Sequence, residues 1–571
     1  MKPSSRGGDS LLGETSRETR PGGAVDVAPR SRANGSLPAG SSPKRTPPTP
    51  PEQRPPEPPP RPSPGSGGAA QNTKWIVPLA VVVIGMFMST LDTSIVNVAI
   101  PTMQQLFGVS TDSIQWVTTA YTLCLGVVVP ASAWLGDRIG LRRLYVISMV
   151  AFSAFSALCG MATGLNSMIF YRILQAIPGG VIPVICLTIL YKMVPREKIG
   201  LAMGLYGLGI IFAPGIGPTL GGYLVEYVDW RLIFYINVPI GIIGAIAAMV
   251  VLPNFPRVAG RSFDMPGFLC IAVSLFALLL ACEEGTSWGW TSYTVLILIA
   301  VGVNALALFV VIELQVKEPL LDVRVFRHWA FVNSLILISI ISVGLFAVLF
   351  YIPNFVQQGQ SLTPMNSGLV LLPQALVMMV VVPMAGQIYD RVGARLPAVI
   401  GLAITAGGTF LLAKINIDMT RPELVVWLMI RAGGMGLAMM PIMTGGLSVL
   451  PAHLTSAGSA FNTLFQKVSS SLGLALFSAI STVQQAQFMA DRSGLLQSQG
   501  PGVDPRIVAM QQQGETGLLS LWQTLQTEVE AQAYSNIFLL VSIMTIGGAI
   551  LGFFLRSVRS SSGSSEPVEI G

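Results

Sequence analysis

Charged residues are scarce in this sequence. Only 11% of its 571 residues are Asp, Glu, Lys or Arg, whereas 51% are hydrophobic. Soluble globular domains carry about 25% charged residues, so this composition excludes an ordinary soluble protein. Repeated apolar runs of about 20 residues predict instead a polytopic membrane protein of the all-α class.

Residues that bind metals or form disulfides are also few. The two histidines, His328 and His453, lie beside loops, and the five cysteines fall in apolar runs without metal-type spacing. We therefore expect no metal site and no disulfide framework. The sequence shows no nucleotide-binding P-loop and no nucleophile–base–acid set, so we predict neither an enzyme nor a cofactor.

The N-terminal segment, residues 1–73, contains 16 prolines and no aromatic residue. Such a segment cannot bury a core, so we expect a disordered cytoplasmic tail, with docking of a partner domain as the alternative. No cleavable signal peptide is expected. The net charge of +6 resides largely in this tail and in short loops, which does not indicate nucleic-acid binding.

Fourteen apolar runs follow the tail, each long enough to cross about 30 Å of hydrocarbon as a helix. Their approximate limits are 75–101, 113–135, 144–164, 168–192, 201–225, 231–252, 266–283, 292–314, 331–353, 366–388, 396–414, 424–448, 456–482 and 534–556. The loops on one side carry thirteen Lys and Arg, against five on the other. This asymmetry predicts that both termini, including residues 557–571, are cytoplasmic.

A loop motif occurs twice, 253 residues apart, with the pattern D-R-x-G-x-R. Its residues are Asp137, Arg138, Gly140 and Arg142 in the first copy, and Asp390, Arg391, Gly393 and Arg395 in the second. Glycine permits a tight turn between helices, and the arginines hold the loop on the cytoplasmic side. The motif is either a gate that bridges to the opposite half or a turn that only fixes topology.

The repeat predicts two six-helix bundles, 75–252 and 331–556, separated by an inserted two-helix hairpin, 266–314. Arg172 and Arg431 occupy matching places in the two bundles, 259 residues apart. Two parallel halves are typical of transporters whose substrate site lies between them. The Gln-rich segment 484–533 is predicted to be an external loop.

Four motifs together resemble one transporter family. GDRIGLRR resembles the loop signature of the major facilitator superfamily, and LDTSIVNVAIP resembles the first-helix signature of its fourteen-helix drug:proton antiporters, the EmrB/QacA type. WRLIFYINVPIG is also typical of that subfamily. GLGIIFAPGIGPTLGG resembles the antiporter helix and is carried by Gly209, Pro214, Gly217, Pro218, Gly221 and Gly222.

The resemblance covers residues 75–560 and implies two six-helix bundles plus two central helices in a bacterial cytoplasmic (inner) membrane. It implies proton-coupled export of amphipathic compounds, as in antibiotic resistance, driven by the proton gradient. The alternatives are a dedicated exporter of one metabolite, such as a siderophore, lipid or antibiotic, and a proton-pumping respiratory subunit. The expected partners are substrates, protons and the lipid bilayer, for a monomer with or without a periplasmic adaptor.

Asp92 is the one formal charge in the first apolar run, about 21 Å along the helix from Pro78. An ionisable group at this depth costs about 2.5–3.5 kcal/mol on insertion scales, so it calls for a functional reason. We predict that Asp92 couples transport to protons. The alternative is a structural carboxylate that accepts hydrogen bonds from hydroxyls of its own helix.

Arg172 is the second proton-coupling candidate, because the family's matching arginine assists proton transfer; snorkelling to the membrane surface is its alternative. Gln175 lies on the same helix face. The remaining cavity or substrate candidates are Asn97, Gln175, Arg431, Lys467 and Met439. Some exporters of the resembled type carry an acid in the thirteenth helix, whereas here Lys467 is the only charge in that span, which leaves room for neutral or anionic substrates. We expect Lys467 to line a watery cavity or to pair with an acid.

Overall fold

The computed structural model describes residues 75–255, 262–360, 362–496 and 515–555. Over these ranges the chain forms helices and turns, and no β-strand occurs in them. We number the fourteen long helices in chain order. They are α1 Ile76–Phe107, α2 Thr111–Ile139, α3 Leu141–Gly160, α4 Leu165–Met193, α5 Ile199–Tyr227, α6 Leu232–Val251, α7 Met265–Trp288, α8 Tyr293–Gln315, α9 Trp329–Asn354, α10 Pro364–Val392, α11 Arg395–Leu412, α12 Arg421–Ser448, α13 Thr455–Leu496 and α14 Glu515–Gly552.

Each predicted span falls on one of these helices, so the prediction of an all-α membrane protein is confirmed. Thirteen of the helices described are long and apolar enough to cross a membrane. The other helix, α13, has 42 residues and so is long enough, but it is the least apolar of the long helices. Asn462, Gln466 and Lys467 lower its mean hydropathy. Gln466 and Lys467 line a cavity between the two halves, and Gln466 donates a hydrogen bond to Asn462.

Two helices continue well beyond the predicted spans. Helix α13 runs to Leu496 and α14 begins at Glu515, so much of the segment 484–533 predicted to be a loop is helical. Residues 483–496 contain no proline, and their three Gln, two Ala and two Leu favour helix. Residues 497–514 of that loop lie outside the described ranges, as do both predicted tails, 1–73 and 557–571.

Helix α5 forms the seam between the two halves, because it packs on α1 on one side and on α10 on the other. The inserted hairpin of α7 and α8 also touches both halves, since α7 packs against α2 and α13. Most side chains of α8 are exposed and apolar, as expected of a helix whose outer surface faces lipid.

Candidate functional site

The carboxylate of Asp92 is fully buried among the first six helices. Its Oδ2 accepts a hydrogen bond of 2.7 Å from Nη1 of Arg172 on α4, and the two side chains form an ion pair. Arg172 is only 1% exposed. The arginine therefore points into the bundle towards the acid, and it does not snorkel to the membrane surface.

Two amide side chains complete the environment of Asp92. Nε2 of Gln175 donates to Asp92 Oδ1 at 2.9 Å, and Nδ2 of Asn237 on α6 donates to the same oxygen at 2.8 Å. Gln175 also accepts from Arg172 Nη1 at 2.8 Å, which its spacing of three residues on the helix allows. Nδ2 of Asn237 also donates a hydrogen bond of 3.1 Å to Oγ of Ser156 on α3, which helps to fix the orientation of the amide.

Asn237 and Ser156 were not singled out by sequence reasoning. Asn237 lies within the WRLIFYINVPIG motif, where an amide in an otherwise apolar helix was the available signal. The hydroxyls of Thr90, Thr93 and Ser94 donate to main-chain carbonyl oxygens of their own helix, at 2.9–3.3 Å. The donors to the acid thus come from other helices and not from the neighbouring hydroxyls.

Aromatic rings enclose the guanidinium of Arg172. Its Cζ lies 3.8 Å from the ring centroid of Tyr121 on α2 and 5.8 Å from that of Phe234 on α6. Ring faces attract a desolvated cation and keep water away from it. The Asp92 cluster, which we define as Asp92, Arg172, Gln175 and Asn237, is therefore enclosed in this conformation.

Hydrogen bonds around the ion pair offset part of the cost of burying it. Removing two charges from water costs several kcal/mol per ion, and the attraction offsets this only when other hydrogen bonds satisfy both groups. Asp92 accepts three short hydrogen bonds, one of them from the cation itself. Without the negative charge of Asp92, Arg172 would be a buried cation with no counter-charge.

A cavity of about 50 Å³ lies between the two halves, which is room for a few water molecules. It is lined by Met86, Ser89, Thr90, Thr93, Leu125, Pro183, Tyr206 and Ile210 from the first half and by Met443, Thr463, Gln466 and Lys467 from the second. Asp92 is not a lining residue. The cavity meets α1 along Ser89, Thr90 and Thr93, so one face of this helix separates the cavity from the Asp92 cluster.

The other predicted cavity residues differ in their surroundings. Lys467 lines the cavity, and no acid of the described ranges lies within 4 Å of its ammonium group. Met439 is buried and does not line the cavity, whereas Met443, one turn further along α12, does. Asn97 is exposed and takes no part in the Asp92 cluster.

Arg431 repeats the position of Arg172 without an acid partner. It is 1% exposed, and its Nη2 donates to the carbonyl oxygen of Gly344 on α9 at 2.6 Å. Gly344 lies 252 residues after Asp92, close to the 253-residue offset of the loop motifs. Where the first half has a carboxylate, the second half therefore offers a main-chain carbonyl, and among the described residues the buried ion pair occurs in the first half alone.

The two D-R-x-G-x-R loops turn on their glycines, as predicted. Gly140 has φ +94° and Gly393 has φ +82°, which disfavour any residue with a Cβ. In the first loop Arg142 donates to Asn254 Oδ1 at 2.9 Å and to the carbonyl of Met249, within its own half. Arg138 lies over the ring of Trp134, with its Cζ 5.5 Å from the centroid.

The second loop contacts the opposite half through its acid. The carboxylate of Asp390 accepts from the backbone N–H of Gly200 at 2.8 Å and of Leu201 at 3.0 Å, in the first turn of α5. The first turn of a helix has free N–H groups and a positive dipole, so a carboxylate from another helix caps it well. Arg391 and Arg395 are exposed.

The glycines of the antiporter signature line two faces of α5. Gly209, Gly217 and Gly221 face α1, and a Cβ on Gly221 would lie 2.9 Å from the side chain of Ile95. Gly222 faces α10 at Met365. Pro214 and Pro218 lie inside the same helix, which remains continuous.

A second row of small residues on α5, which sequence reasoning missed, faces α10. A Cβ on Gly204 would lie 2.8 Å from Pro383 Cα, and one on Gly386 would lie 2.7 Å from the main-chain carbon of Gly200. The spacing of four residues between Gly200 and Gly204 was the available signal. Small residues allow the main chains of two helices from opposite halves to touch.

Two matched halves of membrane-spanning helices around a shared cavity define a membrane transporter. The family model "Major Facilitator Superfamily" matches residues 82–474. The chain therefore belongs to the major facilitator superfamily, and the fold predicted from the motifs is confirmed.

Similar proteins and a solved structure agree with this assignment. The chain is 34% identical to the MFS-type transporter YhcA of Bacillus subtilis (strain 168), over 86% of this chain and 95% of that protein. It is 29% identical to a "Multidrug resistance protein B homolog" of Mycobacterium tuberculosis (strain ATCC 25618 / H37Rv), over 84% of this chain and 90% of that protein. The solved proton:xylose symporter XylE has the same fold, with a TM-score of 0.53 and 12% identity over 86% of this chain and 97% of that chain.

Proposed function

We propose that this transporter exports amphipathic compounds, including antibiotics, from the cytoplasm in exchange for protons by alternating access. It would act in the bacterial cytoplasmic membrane with both termini inside. The observation that carries the proposal is the fully buried Asp92–Arg172 pair. Asp92 lies on α1, whose other face lines the cavity between the halves. The relative named as a multidrug resistance protein, similar over most of both chains, supports an exporter.

In this proposal, Asp92 alternates between an ionised and a neutral form. The ionised form pairs with Arg172 and accepts the amide hydrogen bonds of Gln175 and Asn237. Protonation removes the attraction to Arg172 and so favours a rearrangement of α1 against α4 and α6. Because α1 also forms one wall of the cavity, a shift of this helix changes the space available to a substrate.

The cavity of about 50 Å³ is too small for a drug-sized compound, so the halves must separate before a substrate enters. The two halves move against each other at two contacts. One is the crossing of α5 and α10, and the other is the cap that Asp390 forms on α5. Alternating access is then a rocking of one half against the other about this seam.

The test is transport of several unrelated amphipathic dyes by the full chain in proteoliposomes with an imposed pH gradient. Wild type should move dye against its gradient, and reversing the pH gradient should reverse the flux. Asp92→Asn should lose gradient-driven flux while retaining exchange of labelled for unlabelled dye. Undiminished gradient-driven flux in Asp92→Asn would refute the assigned role, and transport restricted to one compound would favour a dedicated exporter.

A further inference from the structure

The charge in the central cavity has the wrong sign for a cationic substrate. Lys467 on α13 is the one charged residue among those that line the cavity. An ammonium group within a membrane-spanning helix is costly, and such groups are retained where they pair with an opposite charge or bind one. Here no carboxylate of the described residues lies within 4 Å of it.

Two acids lie on helices beside Lys467, and neither forms an ion pair with it. Asp92 is separated from the cavity by a face of α1 and is paired with Arg172. Glu283 on the inserted hairpin accepts a hydrogen bond of 3.0 Å from Oγ of Ser471, one turn after Lys467 on α13. The counter-charge for Lys467 is therefore left to a molecule that enters the cavity.

The remaining walls suit an amphipathic molecule. Thioether and aliphatic side chains, namely those of Met86, Leu125, Ile210 and Met443, form the apolar part of the lining, and hydroxyl and amide groups lie among them. A second positive charge beside Lys467 would be repelled, whereas a negative charge would be attracted.

We propose that the central cavity between the halves, once they have separated, binds amphipathic anions and that the ammonium of Lys467 pairs with their negative group. The binding of an anion does not depend on the proposed function. Only the statement that the bound anion is then transported rests on it. Two classes of ligand have an apolar body that carries one negative charge. They are aromatic acids or sulfonates, and anionic lipids.

The test uses two dyes that differ by one charged group, 8-anilinonaphthalene-1-sulfonate and its uncharged parent N-phenyl-1-naphthylamine. Binding to the purified full chain in a non-ionic detergent is measured by calorimetry. Because hydrogen bonds to charged groups contribute strongly, Lys467→Gln should weaken binding of the sulfonate about tenfold or more. Binding of the uncharged dye should change less than about twofold, and Lys467→Arg should retain most of the affinity for the sulfonate.

Lys414→Gln is the matched control, since Lys414 is exposed at the end of α11 and does not line the cavity. It should leave the affinities for both dyes unchanged. Equal sulfonate affinity in Lys467→Gln and wild type, an equal loss for both dyes, or no saturable binding of the sulfonate by wild type would overturn the proposal.

Dioctanoyl phosphatidylglycerol, added as a competitor, distinguishes the two classes of ligand. Lysine-dependent displacement of the sulfonate dye by this lipid would assign the site to anionic lipids, and binding of the dye without displacement would assign it to aromatic acids. Either result supports an anion site. Because binding is measured without transport, lysine-dependent binding with no gradient-driven flux would leave this inference standing while the proposed function fails.

Discussion

The Asp92–Arg172 pair predicts a specific pattern of stability in three variants. In Asp92→Asn the side chain keeps one carbonyl oxygen, which can still accept from Gln175 and Asn237. Its new NH2 group then faces Nη1 of Arg172, where the lost oxygen accepted at 2.7 Å. A donor thus meets a donor, and the guanidinium keeps its charge with no counter-charge.

The expected cost follows from these two losses. A hydrogen bond to a charged group contributes about 1.5–3 kcal/mol, and breaking a buried pair by removing one partner costs about 3–5 kcal/mol in total. The double variant, Asp92→Asn combined with Arg172→Gln, removes both buried charges. It leaves two amide side chains that can form a hydrogen bond with each other. The double variant should therefore lose less stability than Asp92→Asn alone, although it carries one more substitution.

The assay is thermal unfolding of the purified protein in detergent, followed for wild type, both single variants and the double variant. The account predicts that wild type is the most stable, the double variant intermediate and Asp92→Asn the least stable, with a favourable coupling energy in the cycle. Additive losses, with the double variant the least stable of all, would show that the two side chains do not interact as the structure indicates.

Two further variants test the seam between the halves. Asp390→Asn should weaken the cap on α5 by about 1 kcal/mol, and hydrogen exchange at the backbone N–H of Gly200 should become severalfold faster, whereas Asp418→Asn, at an exposed acid, should not change it. Gly386→Ala should lower the unfolding temperature and the flux, at a cost of about 1–3 kcal/mol from overpacking against Gly200. Gly407→Ala, whose Cβ meets nothing within 4 Å, should be neutral, and equal effects of the two alanines would contradict the close helix crossing.

The transporter architecture was predictable because it depends on patterns that a sequence displays directly. Apolar length gave the fourteen helices, and the repeated D-R-x-G-x-R motif gave the two halves and the turns at Gly140 and Gly393. Asp92 was identifiable as a lone acid in an apolar run, since such a residue is retained against a cost. Whether Arg172 points into the bundle or snorkels to the membrane surface was open, and only the packing of α1 against α4 shows that it reaches Asp92.

The rest of the site depends on contacts that no local pattern encodes. Asn237 reaches Asp92 across 145 positions, so its role follows from the way α6 packs on α1. Asn97 was expected to line the cavity, but it lies five residues beyond Asp92 and therefore on another side of α1. The end of α13 was misplaced because a polar, Gln-rich helix has little of the apolar signal from which the spans were predicted.

In the proposed mechanism, Asp92 carries the proton that is exchanged for substrate. The most direct measurement is the release or uptake of protons when a substrate dye is added to the purified protein in weakly buffered detergent solution, followed with a pH indicator. The account predicts a substrate-dependent proton signal in wild type and in Asp418→Asn, and none in Asp92→Asn under conditions where the dye still binds. A proton signal of wild-type size in Asp92→Asn would contradict the account.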